Sequence, residues 1–291
     1  MNQPISEEDA KVLRAIEERI FSSIDAGVDL SELSILDDVN AGKKQIQELG
    51  VKIAVEHTEI SVAILQIAHS VYFEHSPHGD VPDFFDAVMR MGGDRVKILI
   101  LSLALFSLGK GPDARRRAAK SVSIGILGRM IAEQMNLKDE CVRRVETGGL
   151  LSQIGRNMCM KARELGELVS DDFIEHYQSA LAMNMIDRFK LDPFLKKAVD
   201  LSVVEFDEAS LALVGVIKMA EALTEDSFRR YGKLVIKSPM PDKNNVLIRT
   251  PGEVIQKLFS ILGVDDYLVI EEEPTQRQRE AEKKLNKKKR S

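Results

Sequence analysis

Apolar residues recur along most of this chain at intervals of three and four, the spacing that gathers them on one face of an α-helix. Ser6 and Asp9 precede Val12, Leu13, Ile16, Ile20 and Ile24, which predicts one amphipathic helix ending at Gly27. Leu30, Leu33, Leu36, Val39, Ile46 and Leu49 predict one or two short helices from Asp29 to Leu49, interrupted near Gly42. From Thr58, the positions Ile60, Ile64, Leu65, Ile67, Ala68, Val71 and Tyr72 predict another, ended by the loop His75-Ser76-Pro77-His78-Gly79-Asp80. Helices over Asp83–Met91 and Asp94–Leu108 follow, parted by Gly92-Gly93. The second is apolar on nearly every side, so neighbours must cover it all round at the centre of the first half. A long helix starts near Asp113 and carries Val122, Ile126, Leu127, Met130 and Ile131. A helical stretch over Asp139–Glu164 comes next, then Phe173–Phe189, Pro193–Leu201 and Leu211–Leu223. Beyond Tyr231 the texture changes. Leu234-Val235-Ile236 and Val246-Leu247-Ile248 flank a Pro- and Asn-bearing segment, which suggests a small hairpin or an ordered loop. Thr250-Pro251-Gly252-Glu253 is a capping box with proline at the first helical position, predicting a short helix to Leu262.

Composition agrees with helix packing. Of 291 residues, 44% are hydrophobic and 30% charged; aromatics are sparse and tryptophan is absent, so aliphatic side chains and methionine must build the core. The length suits one large or two modest domains. Cys141 and Cys159 give neither a disulfide framework nor a zinc site, which fits a reducing cytoplasm. The acidic start lacks the basic-then-apolar order of a signal peptide. The most apolar run, Ile98 to Leu108, is broken by Ser102 and Ser107 and falls short of the roughly 20 residues a bilayer needs. No membrane association is expected. Net charge is −5, unevenly spread: from 274 to 291 eight basic residues oppose two acidic ones, leaving a tail of +6 and a body of −11. Nucleic acid is therefore expected to meet the tail alone, since a phosphate backbone wants a positive surface. That tail, nearly free of apolar residues, is expected to be disordered or a frayed helix.

Gly148-Gly149-Leu150-Leu151-Ser152-Gln153-Ile154-Gly155-Arg156 is similar to the Gly-Leu-Leu-His-Asp-Ile-Gly-Lys signature of the HD phosphohydrolase superfamily. Ser152 and Gln153 stand where that superfamily has its metal-holding His-Asp doublet. A hydroxyl and an amide are poor donors to a divalent cation beside an imidazole and a carboxylate. Ile64-Leu65-Gln66-Ile67-Ala68-His69-Ser70-Val71-Tyr72-Phe73, then Asp86-Ala87-Val88-Met89-Arg90-Met91-Gly92-Gly93 and the apolar helix after it, resemble the HDOD family, the HD-related output domains of bacterial signalling. The resemblance covers roughly residues 10 to 225, with His69 at the usual Asn and Met91 at the usual Leu. It also implies that Lys120 stands where a first metal-binding His would be, Gln178 and Leu201-Ser202 where further ones would follow, and Glu221 where an Asp is common.

The resemblance implies an all-α fold of two packed helical bundles. An N-terminal subdomain over 1–110 is expected to pack on a degenerate HD-like one over 111–231, with a C-terminal cap over 232–273, which the short hairpin would enter, and a basic tail over 274–291. Catalytic residues, metal ligands and cofactors are expected to be none. Lys120, Ser152, Gln153, Gln178 and Glu221 are expected at a polar pocket, where they satisfy one another inside the fold or Lys120 lies on the surface; the alternative is that Lys120 binds a small anion there or pairs with Glu221. His75 and His78 lie three apart with Glu74 and Asp80 near, but no motif fixes a third ligand. His57 and His69 precede them, and His69 on its apolar helix reads as a hydrogen-bonded core residue; His176 lies near the lost metal position, where a single His makes no site; Arg115-Arg116-Arg117 reads as a solvated face, and both cysteines as packing. The function implied is a non-catalytic, cytoplasmic regulatory module whose partners are proteins of a signalling pathway. The alternatives are a metal-dependent phosphohydrolase with an unconventional site and a nucleic-acid-associated regulator using its tail.

Overall fold

Glycine, proline and short polar residues cut the chain into helices close to where its periodicity changes. The computed structural model describes residues 7–25, 32–37, 42–69, 83–107, 112–199, 208–238, 255–256, 259–260 and 264–272. The first group of helices is α1 (Glu7–Asp25), α2 (Lys43–Glu56), α3 (Thr58–His69), α4 (Phe84–Met91) and α5 (Gly93–Ser107), with a 3-10 turn at Glu32–Asp37. The second is α6 (Pro112–Gln134), α7 (Asp139–Leu151), α8 (Ile154–Glu164), α9 (Asp171–Arg188), α10 (Phe194–Val199) and α11 (Glu208–Tyr231). The fold is all-α, with one small sheet of two strands at its C-terminal end among the described residues.

Local chemistry sets several helix starts. The Asp83 carboxylate accepts from the Asp86 N–H at 2.9 Å and caps α4, and the Ser170 hydroxyl accepts from the Phe173 N–H at 3.0 Å and caps α9. Helix α5 is covered as its all-round apolarity requires: Val96, Ile98, Leu99, Ile100 and Leu101 are buried. Lys97 is buried among them, its Nζ donating to the Phe189 carbonyl at the end of α9 at 3.2 Å. Beside it Arg95 reaches Glu146 of α7, which Arg129 of α6 also contacts at 3.3 Å while pairing with Glu133 at 2.8 Å. This ionic chain fastens α5, α6 and α7 where the two groups meet. Helix α1, first in sequence, lies against α8 and α9: Arg19 donates to Glu167 at 2.8 Å and to the Leu165 carbonyl at 2.9 Å, and the Tyr177 hydroxyl donates to Asp9 at 2.8 Å.

One expectation needs correction. The helical stretch over Asp139–Glu164 is two helices, broken at Ser152-Gln153 in the middle of the HD-like motif. The Ser152 hydroxyl turns back to the Gly149 carbonyl at 3.0 Å, a local bond of the kind by which serine ends helices. The first of the two segments expected to form a hairpin or an ordered loop is a strand with a partner further along the chain. Strand β1 (Leu234–Ser238) pairs in parallel with β2 (Leu268–Glu272), Leu234 opposite Leu268 and Ser238 opposite Glu272. Parallel strands need a long crossover, and the positions between them include the buried Ile255 and Phe259. The strand expected at 246–248 lies outside the described residues, as do His75, His78 and the tail.

Candidate functional site

The break between α7 and α8 is held by close backbone approaches. A Cβ on Gly149 would stand 2.9 Å from the Gly125 Cα and N and from the Ile124 carbonyl oxygen, so α6 and α7 touch through two glycines. A Cβ on Gly155 would lie 1.7 Å from the Gln178 carbonyl oxygen, so α8 and α9 touch there in the same way. These contacts turn Ser152 and Gln153 toward α9 and α11 and leave a pocket of about 100 Å³. Its walls carry Ser152, Gln153, Arg156, Gln178, Ser179, Lys218 and Glu221.

Glu221 is the centre of the pocket's polar contacts. The Lys218 ammonium, one turn earlier on α11, donates to one carboxylate oxygen at 2.8 Å; the Gln153 amide donates to the other at 3.2 Å. Ser179 donates to the Val199 carbonyl at 3.3 Å. A divalent cation fits this donor set poorly. The pocket offers one carboxylate, already shared between an ammonium and an amide, and a serine committed to its own backbone. A second fixed cation at Lys218 would repel the metal. Among the described residues no group of three or more His, Cys, Asp and Glu side chains could hold a metal.

Four of the five residues expected here are thus together: Ser152, Gln153, Gln178 and Glu221. Lys120 is not among the residues that line the pocket. It points to the next turn of α11, where both Glu225 oxygens accept from Nζ at 2.7 Å and the Phe228 ring lies 5.8 Å beneath. Lys218 supplies the charge instead. Its place three residues before Glu221 is a helical ion-pair spacing visible in the sequence. Arg156 and Ser179 were equally legible, one closing the motif and one adjoining Gln178.

The remaining candidates resolve individually. Arg115 pairs with Asp266 at 3.0 Å, Arg117 with Glu164 at 2.5 Å, and Arg116 donates to the Phe228 carbonyl at 3.5 Å. The run therefore fastens the start of α6 to three other elements instead of forming one free face. His176 stands exposed, edge-on to the Tyr177 ring at 5.4 Å and outside the pocket. His57 joins α2 to α3. Burial raises the Cys159 thiol to about 11, against which the nearby Arg163 and Arg156 weigh little. A larger cleft of about 310 Å³ opens between α5, α7 and α10. Its Arg144 is paired with Glu140 at 3.3 Å and Asp192 at 3.1 Å, and its Arg95 with Glu146, so most of its positive charge is already matched.

The HDOD domain family matches residues 33–183, just over half of the chain. Among solved structures the chain is similar to an HDOD domain protein with unknown function from Geobacter sulfurreducens, at 18% identity, TM-score 0.44 and coverage of 79% of this chain and 81% of that one. It is also similar to two proteins from Shewanella amazonensis SB2B. One, named as a candidate phosphohydrolase, has 17% identity, TM-score 0.48 and coverage of 87% and 96%. The other, named as a candidate metal-dependent phosphohydrolase, has 13% identity, TM-score 0.49 and coverage of 89% and 99%. No curated protein matches. Among the described residues no helix is long and apolar enough to cross a membrane.

Proposed function

The chain belongs to the HDOD family, and we propose that it works as a non-catalytic, cytoplasmic signalling module that acts through contacts with other proteins. The observation that supports this most is the occupied carboxylate: Glu221 is bound on both oxygens by Lys218 and Gln153, where a metal enzyme would need open donors. On this reading the old catalytic position is a polar plug. It joins α7–α8 to α11, and its groups satisfy one another. The size of the pocket, about 100 Å³, points the same way, because small-molecule sites run to about 300–1,000 Å³. Two cysteines, neither in a disulfide, fit a reducing compartment.

Metal analysis of protein purified without chelators, run beside a phosphodiesterase and phosphatase panel, tests the reading. Metal far below one per chain and no turnover are expected. Near-stoichiometric metal with turnover that disappears in Glu221→Gln would overturn the proposal in favour of an unconventional phosphohydrolase. Titration calorimetry with nucleotides and cyclic dinucleotides is expected to give no heat; a signal removed by Lys218→Met would make the pocket a ligand site. DNA and RNA retention is expected to be equally negligible for the full chain and one ending at Glu273. Retention by the full chain alone would favour the nucleic-acid reading.

A further inference from the structure

Among the described residues, helix α11 is packed on one side and exposed on the other. Leu213, Val214, Val216, Ile217, Ala220, Thr224 and Phe228 are buried, whereas Leu211 is 56% exposed, Met219 55% and Leu223 49%. Ala212, Gly215 and Ala222 are exposed between them. At about 100° per residue these six positions fall within one arc about 120° wide, and no charged residue enters that arc between Leu211 and Leu223.

The arrangement of sizes along this arc is symmetric. Leu211 and Leu223, Ala212 and Ala222, and Gly215 and Met219 are pairs each centred on position 217. When two copies of one helix meet antiparallel about a two-fold axis, residues equidistant from the axis lie in the same layer. An axis at position 217 would set Met219, near the middle of the arc, over the partner's Gly215, and along the two edges of the seam Leu211 beside the partner's Ala222 and Leu223 beside the partner's Ala212. That space exists: a Cβ on Gly215 would meet nothing within 4 Å. Among the described residues nothing therefore asks for glycine in the middle of this helix, where it is the poorest residue after proline. A methionine arriving from a second copy supplies the reason.

The ends of the helix agree with the same direction. Glu208 begins α11, and Arg229 and Arg230 lie near its end with side chains 76% and 62% exposed. Antiparallel pairing brings each acidic start beside a basic end and sets opposite ends of the helix dipoles together. Asp226, which would lie in the layer of the partner's Glu208, is already held by Arg229 at 2.6 Å and Arg230 at 2.9 Å.

We propose that this face is the seam of a homodimer in which two α11 helices pack antiparallel about position 217. The stripe is about 18 Å long, a small seam, so association at about micromolar concentration is expected. Sedimentation of the full chain over a concentration series tests this: the mass should rise toward twice the 32.5 kDa of one chain. L211K and A222E should each remain at the monomer mass, because each sets a charge against an apolar neighbour at the edge of the seam. An equal mixture of the two should regain dimer, since the introduced ammonium and carboxylate then lie side by side on one edge of the seam. Both positions are exposed, so helicity by circular dichroism should be unchanged, and M219E gives an independent third disruption. L168K, at a position 95% exposed outside the stripe, should leave the dimer intact. A wild-type chain that stays monomeric throughout, a dimer indifferent to all three stripe variants, or a mixture that fails to reassociate would each overturn the proposal.

Discussion

Gly155→Ala adds one methyl group at the point where α8 meets α9. That carbon would stand 1.7 Å from the Gln178 carbonyl oxygen, 2.6 Å from its carbon and 3.2 Å from the Ala182 nitrogen. Ordinary contact needs about 3.5 Å, so the helices must part by about 1.5 Å or more. The obstacle is backbone, which cannot rotate aside as a side chain would. Overpacking costs about 1–3 kcal/mol and more where relaxation is blocked, so a gross cost of about 3 kcal/mol or above is expected. Alanine's better helix propensity offsets about 1 kcal/mol, leaving a net loss of about 2 kcal/mol or more. In a chain of this size that lowers Tm by about 5 °C or more. Gly215→Ala is the matched control, being the same change in a helix interior with nothing within 4 Å. Measured on dilute protein, it should stabilise the chain by about 0.5–1 kcal/mol. Thermal and urea unfolding of both variants decide the matter. A Gly155→Ala protein as stable as the wild type would refute the view that the HD-like motif persists here because its glycines are packed.

Other consequences can be checked separately. Glu146→Ala removes the carboxylate that Arg95 and Arg129 share and leaves two largely buried guanidinium groups short of a partner; a loss of about 3 kcal/mol in urea unfolding is expected, and under about 1 kcal/mol would mean the network relaxes into water. Because burial holds the Cys159 thiol at about 11, it is neutral across the neutral range and its thiolate is reached only at strongly alkaline pH. A thiol-reactive dye at pH 8 should therefore label the half-buried Cys141 first and Cys159 only on unfolding, and prompt labelling of both would contradict this burial. Lys120→Ala should cost no more than about 1 kcal/mol, since its Glu225 partner is well exposed, and should leave the Glu221 pocket unchanged by NMR.

Helix positions were largely legible because helical periodicity is local: Val96 to Leu101 announce a buried helix without reference to any other part of the chain. The HD-like motif was legible as well, and with it the meeting of Ser152, Gln153, Gln178 and Glu221. The break at Ser152-Gln153 was not. Helix propensity there is only mildly poor, and the turn joins the local bond from Ser152 to the Gly149 carbonyl with the seating of α8 on α9 where Gly155 meets Gln178. The parallel pairing of Leu234–Ser238 with Leu268–Glu272 was hidden for a similar reason, since strand partners across a long crossover share no local pattern. The charge in the pocket shows the division most clearly. The sequence determined that a lysine stands at 120 and another at 218. Lys218 reaches Glu221 through a spacing local to α11, whereas the place of Lys120 outside the pocket depends on how α6 is turned against α11, where a Cβ on Gly128 would stand 3.8 Å from that of Ala220, a contact between residues far apart in the chain.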